Sequence, residues 1–138
     1  MVKILLLLAM IFLHIVDDYY LQGWLASAKQ KSWWEQNAPD ELYKYDYIMA
    51  LFMHSFSWTF IVMIIPSLFA LSRVINTGID NINIVSGQII LTFVVHLIMH
   101  IIVDNAKANL KKINLIQDQL IHLIQITTIW FYLVLIRL

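Results

Sequence analysis

Apolar and polar segments alternate along the chain, and four of the apolar segments approach or exceed the length of about 20 residues that a helix needs to cross a bilayer. Pro66 lies inside the second segment, and membrane helices tolerate an internal proline. We therefore predict an all-α fold, namely an integral membrane four-helix bundle built from two helical hairpins in a single transmembrane domain. The predicted helices cover approximately residues 2–22, 40–72, 84–106 and 117–138.

The composition agrees with a membrane protein and excludes several other classes. Hydrophobic residues make up 61% of the 138 residues and charged residues 13%, which is about half the charged share of an average soluble domain. Nine basic residues balance nine acidic ones, so the charge does not favour nucleic acid as a partner. The absence of cysteine excludes disulfides, thiolate zinc ligands and cysteine nucleophiles. The lipid bilayer is the expected partner.

The positions of lysine and arginine predict how the helices are oriented. Four helices place both termini on one side of the membrane, together with Lys3, Arg73 and Arg137. The other side carries Lys29, Lys31, Lys44, Lys107, Lys111 and Lys112. Because basic residues concentrate in cytoplasmic loops, we predict a multi-pass cell-membrane protein with loops 22–46 and 105–116 in the cytoplasm and both termini outside it.

The first apolar segment could also be a cleaved signal peptide, since Ala26-Ser27-Ala28 resembles a cleavage site. His14 and Asp18 lie between the apolar run and that site, however, and the gap is too long for a signal peptide. We therefore predict that the segment is retained as the first helix.

All five histidines lie inside or at the ends of the predicted helices, together with four aspartates. These residues are His14, His54, His96, His100, His122, Asp17, Asp18, Asp104 and Asp118. An ionisable side chain near lipid is costly and indicates a functional site that faces the interior of the bundle. Because the chain reverses direction after each helix, the helix ends that carry most of these residues meet in one leaflet, on the side predicted to be cytoplasmic.

Four-residue spacing selects the members that we expect to point inward, because such residues share a helix face. The stripes are His14, Asp18 and Gln22 on the first helix, Thr92, His96, His100 and Asp104 on the third, and Asp118 and His122 on the fourth. Asp17 is expected to be the solvated neighbour of Asp18. His96 lies one turn deeper and is expected to pack or to support a ligand. The repeated His-x-x-x-Asp spacing indicates that the two hairpins are related by duplication.

Imidazole and carboxylate together suit zinc, manganese or iron, and helical bundles build such sites from facing side chains. The predicted metal ligands are His14, Asp18, His54, His100, Asp104, Asp118 and His122. Asp18, His54 and Asp118 are the predicted catalytic residues among them. Lys107 is expected to meet a substrate phosphate or lipid headgroup, and Gln22 and Gln119 are expected to orient ligands.

Three classes of function fit this constellation. The first is a metal-dependent hydrolase of a phosphoester or lipid-linked substrate at the cytoplasmic face. The second is an ion, metal or proton transport protein, and the third is an accessory subunit or effector whose polar cluster only stabilises the bundle. Transport sites tend to lie near the bilayer midplane. The concentration of ionisable residues in one leaflet therefore favours an enzyme or a binding site over a conduit, and the hydrolase is the leading hypothesis.

Three motifs carry a family resemblance: His14-Ile-Val-Asp-Asp18-Tyr-Tyr-Leu-Gln22, His100-Ile-Ile-Val-Asp104-Asn-Ala-Lys107 and Asp118-Gln119-Leu-Ile-His122. With these motifs the chain resembles the small bacterial and phage membrane proteins catalogued as domain of unknown function 3307, over nearly its whole length. His54 lies where the second helix of that family usually carries a histidine. The resemblance implies an all-helical integral membrane protein and the same choice of residues, and it supplies no reaction.

Overall fold

The computed structural model describes residues 1–78 and 81–136, and these residues form helices and turns with no β-strand among them. The all-α class is therefore confirmed. The α-helices are α1 (Val2–Val16), α2 (Gly23–Ala28), α3 (Lys31–Asn37), α4 (Asp46–Thr77), α5 (Ile82–Ala108) and α6 (Leu115–Trp130). A π-helical turn (Asp17–Leu21) extends α1, a 3-10 turn (Glu41–Tyr43) precedes α4, and a second π-helical segment (Phe131–Ile136) extends α6.

Four of the helical segments are long and apolar enough to cross a membrane: Val2–Leu21, Glu41–Thr77, Ile82–Ala108 and Leu115–Ile136. Their outer faces leave large apolar side chains exposed, including Leu5, Phe12, Phe52, Ile98 and Ile124. A lipid environment would cover such surfaces, whereas a soluble monomer rarely exposes them. The helices are therefore compatible with a membrane location, and the orientation of the termini stays a prediction.

The second long helix differs from its predicted range of 40–72. Asp40 Oδ1 accepts a hydrogen bond from the backbone N–H of Leu42 at 2.9 Å, which caps the 3-10 turn instead of starting α4. The helix ends later than predicted because Gly78 takes a left-handed conformation with φ of 63°, which terminates helices readily. Ile79 and Asp80 in the predicted turn, and Arg137 and Leu138 at the end of the fourth predicted helix, lie outside the described residues.

The long connection predicted over residues 22–46 contains the short helices α2 and α3. Trp24, Trp33 and Trp34 meet edge to face, with ring centroids 5.0–6.0 Å apart. The indole N–H of Trp34 donates to the carbonyl of Ala28 at 2.7 Å, at the last residue of α2. Asn109, just beyond α5, donates to the carbonyl of Lys29 at 3.1 Å. These contacts fix the connection against the end of the bundle and hold Lys29 there.

The centre of the bundle is an apolar cluster contributed by α1, α4 and the α6 segment with its π-helical extension. It contains Met10, Trp58, Val62, Met63, Ile126, Ile129 and Leu133. A smaller cluster of Ala70, Val74 and Val85 closes the far end between α4 and α5. The longest helix, α4, packs against α1, α2, α5 and α6, and most extensively against α5. Because that packing crosses the proposed hairpin boundary, the division into two hairpins stays a prediction.

Candidate metal centre

The π-helical turn at the end of α1 changes which acid faces the interior. The backbone N–H of Gln22 bonds to the carbonyl of Asp17, so this turn is closed by an i to i+5 bond that places residue 22 beside residue 17. Asp17 is fully buried, and its carboxylate accepts hydrogen bonds from Gln22 and, at 2.8 Å, from Ser57. The prediction that Asp17 is the solvated neighbour of Asp18 is therefore wrong. The extra residue in the turn moved the stripe by one position.

Gln22 fastens this turn to α4. Besides Asp17, its side-chain amide donates to the backbone carbonyl of His54 at 3.1 Å. Gln22 is buried, and its amide nitrogen is used by these two contacts, so it lies beside Asp17 and not on a shared stripe with Asp18. It therefore orients the backbone that carries His54, one step removed from the histidine ring.

The ring of His14 has both of its nitrogens engaged by neutral side chains. The indole N–H of Trp58 can only donate, so Nδ1 of His14 accepts at 2.7 Å. Nε2 then carries the hydrogen and donates to Oε1 of Gln119 at 3.0 Å. Nε2 of Gln119 in turn donates to Asp118 at 3.2 Å. His14 is therefore connected to Asp118 by a hydrogen-bond chain and does not present a free nitrogen to the centre.

Asp104 on α5 is the hub of the site, and its two oxygens face different partners. Oδ2 lies 2.7 Å from Nε2 of His54 and 2.5 Å from Nζ of Lys29. Oδ1 lies 3.2 Å from Nε2 of His122. His100, one turn earlier on the same helix, has its Nε2 3.6 Å from Oδ2. One buried carboxylate thus joins residues of α4, α5, α6 and the connection that follows α2.

Asp118 is the second buried carboxylate, and the start of α6 places it. Asn114 and Gln117 form a capping box that fixes the first turn of α6, which sets Asp118 and His122 one turn apart on its inner face. Oδ1 of Asp118 lies 3.4 Å from Nε2 of His122. Oδ2 accepts from Lys107 at 2.5 Å. His122 therefore lies between the two buried carboxylates.

Two groups of residues bring ligand atoms close enough to hold a metal ion, and Asp104 belongs to both. The first consists of His54, His100 and Asp104, and the second of Asp104, Asp118 and His122. The five residues come from α4, α5 and α6, and all are buried. Asp18 lies outside both groups, with its Oδ1 3.9 Å from Nε2 of His54. Of the seven predicted ligands, the structure thus brings five into these groups and leaves His14 and Asp18 beside them.

The ring of His100 tests whether these side chains suit a metal. It is fully buried, and within the described part of the chain neither of its nitrogens has a hydrogen-bond partner. An unpartnered buried polar atom costs about 1–3 kcal/mol, and coordination to a metal would remove that cost. Three imidazoles and two carboxylates are also a donor set that zinc, manganese and iron accept. The residues therefore fit a metal, and they do not identify which one.

Aromatic packing fixes the histidine rings. Trp58 stacks on His100 with centroids 4.2 Å apart, and His100 stacks on His122 at 4.4 Å. Trp58 also donates to His14, so this single buried side chain contacts three of the five histidines. Rings that are held on their faces keep their nitrogens aimed at Asp104, as a preorganised ligand set requires.

A cavity of about 290 Å³ opens beside the two groups. Its lining includes Asp18, Lys29, His54, Lys107, Lys111 and Gln119. His54 belongs to the first ligand group, and Lys29 and Lys107 are the partners of the buried carboxylates. The cavity therefore gives the buried centre a route to the outside that passes lysines and one aspartate.

Two important residues of the site were not singled out from the sequence. Lys29 was counted only as a loop charge, and no spacing rule connects it to Asp104, which is 75 residues away. Trp58 follows His54 by four residues, so the same stripe rule that selected the histidines could have found it. His96 lies outside both groups, and its Nδ1 is buried without a hydrogen-bond partner among the described residues.

The fold and the site together define an all-helical protein with four long apolar helices and a buried His/Asp centre that could hold a metal. No family model matches the chain, and no curated protein or solved structure does either. The function therefore has to be argued from the geometry of the centre.

Proposed function

We propose that the protein is a membrane-embedded, metal-dependent hydrolase that acts on a phosphoester or lipid-linked substrate at the cytoplasmic face. The observation that carries this proposal is the position of Asp104, which belongs to both groups of side chains that could hold a metal, with Oδ2 toward His54 and Oδ1 toward His122. Enzymes that cleave phosphate esters often use paired metal ions, which neutralise charge on both sides of the broken bond. A shared carboxylate between two ligand groups is the arrangement that such a pair needs.

The proposed metal ligands are buried, whereas the proposed general base lines the cavity. His54, His100 and Asp104 would hold one ion, and Asp104, Asp118 and His122 a second. A divalent ion held there would supply a water molecule with a lowered pKa as the nucleophile. Asp18 lines the cavity, and its side chain is 12% exposed and outside both ligand groups. Asp18 would therefore act as the general base of the proposed hydrolysis.

Without a metal, Lys29 and Lys107 neutralise the negative charge of the two buried carboxylates. Each ammonium lies 2.5 Å from a buried carboxylate, Lys29 from Asp104 and Lys107 from Asp118. Buried carboxylates without a cation are strongly unfavourable, so these two lysines keep the ligand set assembled. Both lysines also line the cavity, so an ammonium displaced by a metal could contact a substrate there.

The position of the centre argues against a transport pathway. All five residues of the two groups lie in the half of the bundle where α5 ends and α6 begins. The far end of α4 and α5 is closed by the apolar cluster of Ala70, Val74 and Val85. Transporter sites tend to lie near the bilayer midplane, whereas this centre lies toward one end of the bundle and apolar side chains close the other end. An accessory or effector role is the alternative that remains if the centre binds no metal.

The family resemblance enters the proposal on the same residues. We propose membership of the family catalogued as domain of unknown function 3307 because its motifs contain His100, Asp104, Asp118 and His122, four of the five residues in the ligand groups. The proposed cell-membrane location and the cytoplasmic position of loops 22–46 and 105–116 rest on the lysine distribution.

Metal content of the purified protein tests the proposal. The protein purified without a chelator should hold about one or two divalent transition-metal ions per chain, measured by inductively coupled plasma mass spectrometry. His100→Ala and Asp104→Asn should lose the metal and the hydrolysis of bis(4-nitrophenyl) phosphate. His96→Ala is the matched control, because it removes a histidine one turn away on α5 and should keep both. Wild-type protein without stoichiometric metal, or His100→Ala with unchanged metal content, would contradict the proposal.

A further inference from the structure

We infer that the cavity beside the centre is a binding site for a phosphate group, built from Lys29, Lys107 and Lys111. This inference deepens the proposed hydrolase, because it names the chemical class of the substrate, and it rests on that proposal for the role of the bound group as substrate. Its physical basis is separate, since it depends on the lysines and not on the metal ligands.

The lining of the cavity has an excess of positive charge. Three lysines face one aspartate, Asp18, among the described lining residues. Gln30 also lines the cavity and carries a neutral amide donor, whereas the amide nitrogen of Gln119 already donates to Asp118. Several ammonium and amide donors from separate segments suit a group with several acceptor oxygens, and lysine is a common point-charge binder of phosphate. A volume of about 290 Å³ leaves room for a phosphate and part of the group to which it is esterified.

The backbone of Lys111 points to a role for its charge. Its φ of 54° is the one positive value at a non-glycine residue in the described part of the chain. The residue lies just past the end of α5, where glycine is the usual choice because it adopts this conformation without strain. Lys111 has no ion-pair partner among the described residues, unlike Lys29 and Lys107. Lys111 is exposed at the edge of the cavity, so its ammonium is free to meet a ligand of opposite charge.

Binding of metal and binding of phosphate should reinforce each other. Without metal, Lys29 and Lys107 are engaged with Asp104 and Asp118. A divalent ion at those carboxylates would take over the neutralisation of their charge and leave both ammonium groups for an anion in the cavity. Coupling of this kind is reciprocal, so phosphate must raise metal affinity by the same factor by which metal raises phosphate affinity.

The source of the phosphate group can be a lipid headgroup or a free ester, and two measurements separate them. Inorganic phosphate is titrated calorimetrically against the full chain in detergent at constant ionic strength, with and without Mn²⁺. The same chain in phosphatidylcholine nanodiscs is then compared with nanodiscs that contain phosphatidic acid. Weaker binding of inorganic phosphate in the second nanodiscs identifies the lipid as occupant, whereas equal binding identifies a soluble phosphate. Both results support the site.

Lys111→Gly is the decisive variant, because it removes the charge and relieves the strained backbone. Phosphate affinity should fall about tenfold, which is a typical loss for one well-placed charged contact, while the unfolding temperature does not fall. Lys112→Gly is the matched control: Lys112 is the next residue and is exposed like Lys111, but it does not line the cavity. It should leave phosphate affinity unchanged. Lys107→Met should also weaken phosphate binding.

The outcomes distinguish this inference from the proposed function. Equal phosphate affinity of Lys111→Gly and wild type, or an equal loss in Lys112→Gly, overturns the phosphate site and leaves the metal centre intact if the metal content is unchanged. Phosphate binding that depends on Lys111 in a protein without metal supports the site and overturns the hydrolase. Metal that does not strengthen phosphate binding overturns the coupling between them.

Discussion

The ammonium of Lys29 lies 2.5 Å from Oδ2 of Asp104 and 2.6 Å from Nε2 of His54, although Asp104 is 75 residues further along the chain. The ammonium of Lys29 thus lies between two of the ligand atoms of the first group, where a metal ion would bind. An ion that binds His54, His100 and Asp104 has to displace this ammonium. Lys29 therefore stabilises the metal-free protein and competes with the metal for the same ligands.

Removal of the Lys29 charge should separate these two effects. Lys29→Met keeps the aliphatic stem and leaves the buried Asp104 carboxylate without its cation, which should lower the free energy of unfolding of the metal-free protein by about 3 kcal/mol. The added stability on titration with Mn²⁺ should exceed that of wild type, because no ammonium has to leave. Thermal unfolding in detergent, with and without the ion, measures both quantities.

Lys31→Met is the control for this experiment. Lys31 forms an exposed pair with Glu35 at 3.6 Å, and exposed pairs contribute at most about 1 kcal/mol. Its loss should change neither the stability nor the response to Mn²⁺ appreciably. If Lys29→Met and Lys31→Met behave alike, the close contact of Lys29 with Asp104 has no energetic role.

The two carboxylates at the end of α1 should have different roles: Asp17 should stabilise the fold, and Asp18 should take part in hydrolysis. Asp17 is fully buried and accepts from Ser57 and Gln22. Asp17→Ala removes the acceptor of the buried Gln22 amide and of the partly buried Ser57 hydroxyl, and it should lower stability by about 2–3 kcal/mol without loss of metal. Asp18→Asn should leave stability and metal content nearly unchanged and lower the rate of hydrolysis, because its side chain faces the cavity. The unfolding temperature, the metal content and the rate of hydrolysis are measured on the same preparations. If both variants hydrolyse substrate at the wild-type rate, the assignment of Asp18 as general base is wrong.

The histidines and aspartates of the centre could be predicted from the sequence because an ionisable side chain within an apolar segment is costly unless it faces a polar interior. Chain reversal then predicted that His54, His100 and His122 would meet, and the structure brings them together. The π-helical turn was not predictable, since one additional residue per turn has no sequence signature comparable to a proline or glycine. It exchanged the expected positions of Asp17 and Asp18.

The role of Lys29 could not be predicted from the sequence, for a different reason. Periodicity relates residues on one helix, whereas the position of Lys29 depends on the packing of α2 and α3 against the bundle. That packing comes from an edge-to-face tryptophan cluster and from the contact of Asn109 with the backbone of Lys29. Tryptophan is also common at the membrane interface, so its presence in a loop does not by itself indicate this packing. Tertiary contacts of a loop lie beyond what helical spacing can indicate.

The predicted orientation in the membrane can be tested because the chain contains no cysteine. A cysteine introduced at Glu35 or Lys112, both in exposed positions, should stay unlabelled by an impermeant maleimide added to intact cells and react after the membrane is opened. A cysteine at Asn76, exposed near the end of α4, should react in intact cells. Labelling of Lys112→Cys and protection of Asn76→Cys in intact cells would reverse the orientation and place the cavity outside the cytoplasm.

Two glutamines on α6 should respond to the same substitution in opposite ways. Gln119 joins His14 to Asp118, so Gln119→Met breaks the hydrogen-bond chain and should weaken metal binding by about tenfold, the lower end of the effect of losing a supporting contact. Gln125 is buried, and neither atom of its amide has a partner among the described residues. Gln125→Met removes that unsatisfied amide and should raise stability by about 1 kcal/mol with metal affinity unchanged. Metal titration and unfolding of both variants check the pair. Unaltered metal affinity in Gln119→Met would show that Asp118 is positioned without His14, which would leave that histidine a purely structural role.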